Sequence, residues 1–330
     1  MTEATIRDVA RRAGVSVATV SRALNRFENV SEGTRNRVAE AVRELGYVPH
    51  AGARSLSLAR TNAIGVVLPD LYGEFFSEIM RGMDREASSR GYLLLLCGLH
   101  GSSEQAALAL QAMRGRVDGL VVMAPHLSAD DLANAIPPTL PSILVNSRDS
   151  SNRPSIHLDN RAGARAVVRH LVATGRTRLV HITGPAQNID AQERRNAFLE
   201  TAAAQGVAHD AVEGNFEEES GAAAVDELLR LRQPFDAVFA GNDNMAIGAI
   251  HALRQAGLRV PEDVAVAGFD DIPLARHIGL TTVRVRIAQL GERALARLLA
   301  GIANGDETGD ELHAPELIVR ATTDPRTSAR

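Results

Sequence analysis

From Ala63 onward this chain alternates short, continuous apolar runs with stretches of helical periodicity, and nothing else in its 330 residues narrows the fold as far. Residues 63–69, 92–97, 119–123, 142–145, 179–183, 237–240 and 264–269 read as strands buried on both faces. Between them, residues 74–90, 103–114, 161–174, 191–205, 220–232 and 245–256 carry the spacing of amphipathic helices. That alternation predicts an α/β class of parallel sheets with helices covering both faces. Open sheets of this kind hold ligands beyond the carboxyl ends of their strands, so function is sought in the residues just after each run.

The first sixty residues follow a different rule. Ile6, Val9, Ala10 and Ala13 recur at i, i+3, i+4 and i+7, and Gly14 supplies the left-handed backbone that ends a helix. Ser16 is placed to cap a second helix whose inner face is Val20, Ala23 and Leu24. Two short helices joined by a glycine turn describe a helix-turn-helix. The outward face is then Val17, Ala18, Ser21 and Arg22, short enough and polar enough to meet a major-groove edge. A small surface helix pair with no partner is the bland alternative. Ser31 opens a third helix with Val38, Ala41, Val42 and Leu45 on one face and Gly46 past its end, which completes a three-helix headpiece over residues 1–48. Residues 49–61 make no obvious hydrophobic contact. They are either a linker or a hinge helix that forms only on DNA, with Leu56 as an apolar wedge in the minor groove.

Charge separates the same two parts. Residues 1–60 hold ten Arg and six acids, a balance of +4, whereas the rest of the chain carries −8. A basic head on an acidic body suits a domain that meets a polyanion while the body avoids it. Every basic residue is Arg, so a Schiff-base lysine, a P-loop lysine and a Ser–Lys pair are excluded. No dinucleotide fingerprint, nucleophile elbow or metal-spaced His/Cys cluster is present, so neither an enzyme nor a cofactor is expected. The single Cys97 closes an apolar run and fits core packing; with no signal or membrane-spanning segment it points to a cytoplasmic protein.

After the strand-like runs stand Asp70 to Phe76, Asn146-Ser-Arg-Asp149, then Asn188, Asp190 and Arg194, then Gly241-Asn-Asp-Asn244, then Asp270-Asp271. Arg, Asp and Asn converging with a few rings suit an uncharged, hydroxyl-rich ligand. Taken one at a time, each is as well explained as a turn or cap residue.

Several stretches resemble the lac/galactose repressor family: Thr5-Ile-Arg-Asp-Val-Ala, Gly14 to Asn25, Gly46-Tyr-Val-Pro49, Ala53-Arg-Ser-Leu56, Ile64 to Pro69, Val260-Pro-Glu-Asp-Val264, Gly268-Phe-Asp-Asp271 and Leu280-Thr-Thr-Val283. The resemblance implies a homodimeric transcription regulator, a repressor, whose hold on pseudo-palindromic operator DNA is set by a small effector. It implies a body like a type I periplasmic-binding protein over 62–330, with one subdomain at about 62–160 plus 290–322 and the other at about 161–289. Helix 287–303 would return to the first subdomain, and a last strand would lie near 315–320. On the DNA side it implies Thr5, Ser16, Val17, Ala18, Thr19, Ser21, Arg22 and Asn25, with Ala53 and Leu56 at the hinge. Around the effector it implies Phe75, Phe76, Arg148, Asp190, Arg194, Phe216, Asn242 and Asp270, with Arg194 and Asp270 expected on facing sides of a cleft. The chain departs from the family pattern at His50, at Gly73-Glu74 where Asn-Pro is common, and at Val285-Arg286 where Gln-Pro is frequent. Ser147 stands where the purine-binding branch has a large aromatic, which argues against base stacking and towards a sugar; the alternative is the same architecture answering to a purine or nucleoside, or using its ligand as a corepressor. No heptad follows Pro325, so a dimer is expected rather than a tetramer.

Overall fold

The structure, a computed structural model, describes residues 4–25, 29–48, 60–99, 103–147, 150, 153–305 and 309–324. It divides into two compact units, residues 1–62 and 63–330.

Among its described residues the smaller unit holds three helices, α1 (Ile6–Ala13), α2 (Val17–Leu24) and α3 (Glu32–Leu45). Their ends follow local chemistry. The Asp8 carboxylate accepts the Thr5 N–H at 3.0 Å, Gly14 turns at φ 65°, and Ser16 and Ser31 accept the Thr19 and Thr34 N–H groups as caps. Val9, Ala10, Ala13, Val20, Ala23, Val30, Val38 and Ala41 form one buried cluster, so each helix contributes a face that it cannot bury alone.

The larger unit begins with β1 (Ala63–Leu68), α4 (Glu74–Ser89), β2 (Leu93–Gly98), α5 (Ser103–Met113), β3 (Gly119–Val122), α6 (Ala129–Ala135), β4 (Ser142–Val145) and β5 (Ser155–Leu158). The chain then crosses to a second half: α7 (Asn160–Ala173), β6 (Arg178–Thr183), α8 (Ile189–Ala204), β7 (Ala208–Glu213), α9 (Glu218–Arg230), β8 (Ala237–Ala240), α10 (Asp243–Gln255), β9 (Ala265–Ala267), α11 (Pro273–His277) and β10 (Thr282–Arg284). Next α12 (Ile287–Asn304) and β11 (Asp310–His313) return to the first half, and β12 (Glu316–Ile318) crosses back. The first sheet has the order β11-β5-β4-β3-β1-β2 and the second β7-β6-β8-β9, both parallel throughout, while β10 and β12 form an antiparallel ribbon.

The return of α12 is built on glycine. A Cβ on Gly82 of α4 would stand 1.8 Å from the Ala288 carbonyl oxygen, and one on Gly291 would stand 2.2 Å from that of Ile79. Only two bare backbones let these helices cross so closely. Arg286, which opens α12, takes a left-handed φ of 50°, a turn that an Arg adopts without the proline the family pattern favours there.

One boundary differs from expectation. The first subdomain was expected to keep the chain to about 322, but its last strand is β11. Beyond it β12 pairs with β10, and the Thr322 carbonyl accepts the Val266 N–H at 2.9 Å. The apolar face of Leu317 and the threonines at 322 and 323 bury against the second half, so residues 316–324 belong with it.

Candidate functional site

In α2 the buried side is Val20 and Ala23, which leaves Val17, at 41% exposure, with Ala18 and Arg22 on the outside. Thr19 and Ser21 are half-buried; the Thr19 hydroxyl lies 2.9 Å from Ser16 Oγ, so Thr19 belongs to the cap as well as to the edge of the face. Thr5 is exposed at the start of α1, and half-buried Asn25 closes α2, its N–H on the Ser21 carbonyl. The helix therefore offers a small-residue surface with one cation at its C-terminal end. Ala53 and Leu56, and His50 beside them, lie outside the described residues, as does Arg148.

In the body, polar side chains gather where the carboxyl ends of β6, β8 and β9 meet. Arg194, on α8, is 5% exposed. Its Nε donates to Asn160 Oδ1 at 2.8 Å, its Nη1 to the Gly241 carbonyl at 2.6 Å, and its Cζ lies 3.8 Å from the centre of the Phe269 ring. Its Nη2 stands 4.0 Å from Asp270 Oδ1, too far for a hydrogen bond. Asp270 is 6% exposed and that oxygen has no hydrogen-bond partner among the described residues. Burial pushes the Asp270 carboxyl up to about 7; Arg194 pulls against it and Asp190 adds to it.

The Asp270 backbone takes φ 115° and Asp271 follows at 57°, two strained residues in succession. Three sets of bonds hold them there. The Asp270 N–H reaches the Val283 carbonyl at 2.8 Å, and Asp271 accepts Arg284 Nε and Arg320 Nη2, each at 2.6 Å. Below them the fully buried Asp243 accepts the Thr282 hydroxyl at 2.5 Å and the Ile272 N–H at 2.9 Å. Burial, with Asp270 adding to it, raises the Asp243 carboxyl well above the usual range.

The other expected residues divide between grip and scaffold. Asp190 is 7% exposed and accepts Asn160 Nδ2 at 2.7 Å. Asn242 caps α10 through the Met245 N–H and donates to the Phe216 carbonyl at 2.9 Å, so its amide braces the loop. The Phe216 ring lies over Gly184, where a Cβ would come within 2.1 Å of it. Phe75 and Phe76, at the start of α4 in the first half, meet edge to face at 5.3 Å. Asp70 folds back onto its own Leu71 N–H, Asn188 caps α8, and Asn146 Oδ1 accepts the Leu158 N–H, so these three are turn and cap residues. Ser147 is also spent on backbone, between the Ala124 N–H and the Val145 carbonyl.

Two expectations change. Arg194 and Asp270 do not face each other across the cleft: both stand on the second half, because β6, β8 and β9 are neighbours in one sheet. Across the cleft run two other bonds, from the Ile189 N–H to the Pro125 carbonyl and from the Leu274 N–H to Glu74 Oε2, each 3.0 Å. And Asn160, which binds three members of the cluster, was missed; the rule of looking after each strand finds it once residues 155–158 are known to be a strand. Among the described residues no cluster of His, Cys, Asp and Glu could hold a metal ion, and no helix is long and apolar enough to cross a membrane.

Residues 5–50 match the family described as bacterial regulatory proteins of the lacI family. Similarity then spans the whole chain: it is 35% identical to the HTH-type transcriptional repressor PurR of Aliivibrio fischeri, covering 97% of this chain and 98% of the relative. The chain belongs to the lacI family. As a member it is a DNA-binding transcription regulator and not an enzyme. Residues 168–323 also match a periplasmic binding protein-like domain, which accounts for the cleft between two parallel sheets. In three dimensions the chain resembles the lac repressor dimer bound to operator and the anti-inducer ONPF, with a TM-score of 0.89 at 29% identity over 98% of this chain and 99% of that one. It also resembles the complex of the regulator CelR with cellobiose, with a TM-score of 0.72 at 30% identity over 97% and 99% of the two chains.

Proposed function

We propose that this regulator is a homodimeric repressor that binds a pseudo-palindromic operator through α2, and that a neutral sugar in the cleft sets its affinity. The observation that carries the sugar is the 4.0 Å gap between Arg194 Nη2 and Asp270 Oδ1, an oxygen that no described residue hydrogen-bonds. A hydroxyl fits such a gap, since it accepts from the guanidinium and donates to the carboxylate at once. A charged ligand would satisfy one partner and repel the other. Phe75, Phe76 and Phe216 supply apolar surface for the C–H faces of a pyranose or furanose ring. Ser147, locked to backbone, offers no stacking surface for a base. CelR, a related regulator, is solved with cellobiose.

Closure on the sugar selects one setting of the two halves, and residues 49–61 with Leu56 carry that choice to the headpieces. A sugar that weakens operator binding must itself bind the operator complex more weakly, by the same factor. On this reading the protein works in the cytoplasm, at the nucleoid.

A thermal-shift screen against monosaccharides, disaccharides and ribonucleosides tests the ligand. A sugar present at 100 times its Kd stabilises by about 2.7 kcal/mol, and the same sugar must alter the gel-shift affinity for operator. Arg22→Ala tests the DNA face: it should cost roughly 1–3 kcal/mol at one base pair of each half-site and relax selectivity there. Stabilisation by nucleosides alone overturns the sugar, and an Arg22→Ala protein with wild-type selectivity overturns the face.

A further inference from the structure

Asn160 is 1% exposed and is the first residue of α7, at the point where the chain leaves the first sheet. Its amide makes three hydrogen bonds. Nδ2 donates to Asp190 Oδ1 at 2.7 Å and to Glu193 Oε2 at 3.2 Å, while Oδ1 accepts Arg194 Nε at 2.8 Å. All three partners sit on α8 at positions i, i+3 and i+4, so they form one face of its first two turns. That face presents two acceptors and one donor within reach of a single side chain. Only an amide answers both needs: an Asp there would add a third carboxylate, and a Leu would leave buried polar groups without partners.

The consequence falls on Arg194. Its Nη1 is fixed by the Gly241 carbonyl and its plane rests on Phe269. The bond from Asn160 to Nε removes the remaining freedom to rotate in that plane. The position of Nη2, and so the width of the gap to Asp270, is thereby set by a residue that lies outside the gap. Asn160 is also tied to the first half through its neighbours. The Leu158 N–H reaches Asn146 Oδ1 at 3.1 Å, and the Asp159 N–H reaches the His313 carbonyl at 3.0 Å. Any rotation of the halves about this crossover pulls on the amide, and through it on Arg194 and Asp190.

We infer that Asn160 is the positioning residue of the effector site: it aligns Arg194 and Asp190 with Asp270 and couples that alignment to the setting of the two halves. This rests on the reading of the cleft as the effector site. Two measurements on the full-length protein separate the claims. In the first, the Arg194 Nε–H cross-peak is followed by nitrogen-15 NMR and assigned as the peak missing from Arg194→Lys. It should be sharp and slow to exchange in the wild type, lost to fast exchange in Asn160→Ala, and retained in Asn160→Asp, which keeps the acceptor.

In the second, D-ribose, D-galactose, cellobiose and cytidine are titrated by calorimetry. Whichever probe binds the wild type should bind Asn160→Ala roughly tenfold or more weakly, and Asn160→Ala with Arg194→Lys should lose little beyond Arg194→Lys alone. A persistent Nε–H peak in a folded Asn160→Ala protein, or losses that simply add, would mean that Asn160 only ties helices together. If no probe binds the wild type, the sugar reading falls, and the NMR result still decides whether Asn160 holds Arg194.

Discussion

Asp270 combines a left-handed backbone, near-complete burial and an oxygen without a hydrogen-bond partner among the described residues, a costly arrangement for a carboxylate. An unfolded chain titrates this group near its ordinary value of about 3.9, whereas burial pushes it up to about 7 in the folded protein. The folded state therefore binds the proton more tightly. Its contribution to stability is fully present below the unfolded value and is lost as pH rises through the folded one. Asp270→Asn removes that loss, so denaturant unfolding of the ligand-free protein at about pH 8 should show a gain of roughly 2–4 kcal/mol that fades towards about pH 4. An equal effect at both pH values would mean that the carboxyl ionises freely. At this scale the sequence was readable where a residue directly follows an obvious strand. Asp190, Arg194, Asn242 and Asp270 stand in the segments that follow such strands and all four are buried, but what each side chain bonds to was not legible. Asn242 turned out to brace Phe216, a choice that depends on a positive φ at Phe216 which no pattern of residue types announces.

Among the elements, those built on apolar runs were legible, the edge strands β2 and β9 included, and the edge strands of polar sequence were not. β7 reads Ala-His-Asp-Ala-Val-Glu and β11 reads Asp-Glu-Leu-His; both lie at the rim of a sheet, largely in solvent, so burial imposes no apolar run on them. β5 is buried, but it has four residues and follows Pro154, too short for a period to show. Missing it concealed Asn160. The Gly73-Glu74 departure gains its meaning only in three dimensions. Glu74, at the start of α4, accepts the Leu274 N–H of α11 across the cleft, and the Ile189–Pro125 bond crosses at a second point. If the two act together as a clasp, Glu74→Ala should speed amide exchange at Leu274 and also at Ile189, about fivefold for a loss near 1 kcal/mol. It should weaken ligand binding in the same proportion. Faster exchange at Leu274 alone would reduce Glu74 to a local cap.

For the whole molecule the open question is what covers β2. It is the outermost strand of the first sheet, and Leu93, Leu95 and Leu96 are 73%, 38% and 48% exposed, with Leu108 of α5 at 59%. A bare edge strand of leucines invites association unless a partner covers it. A second copy of this chain is the occupant that fits a regulator related in fold to the lac repressor dimer. Dimerisation then matters for DNA as much as for solubility. Two linked headpieces reach two half-sites, and the second engages at the high effective concentration set by the first. Leu96→Asp places a charge in that surface without touching the cluster around Arg194. Sedimentation should find it monomeric, its sugar affinity kept and its operator affinity lower by a factor on the order of 10²–10⁴. The slope of log affinity against log salt should fall to about half, because a lone headpiece neutralises half the phosphates. A Leu96→Asp protein that still sediments as a dimer would place the dimer interface away from β2. A monomer that keeps full affinity and the full salt slope would show that one headpiece suffices, and that the symmetry of the operator plays no part in its recognition.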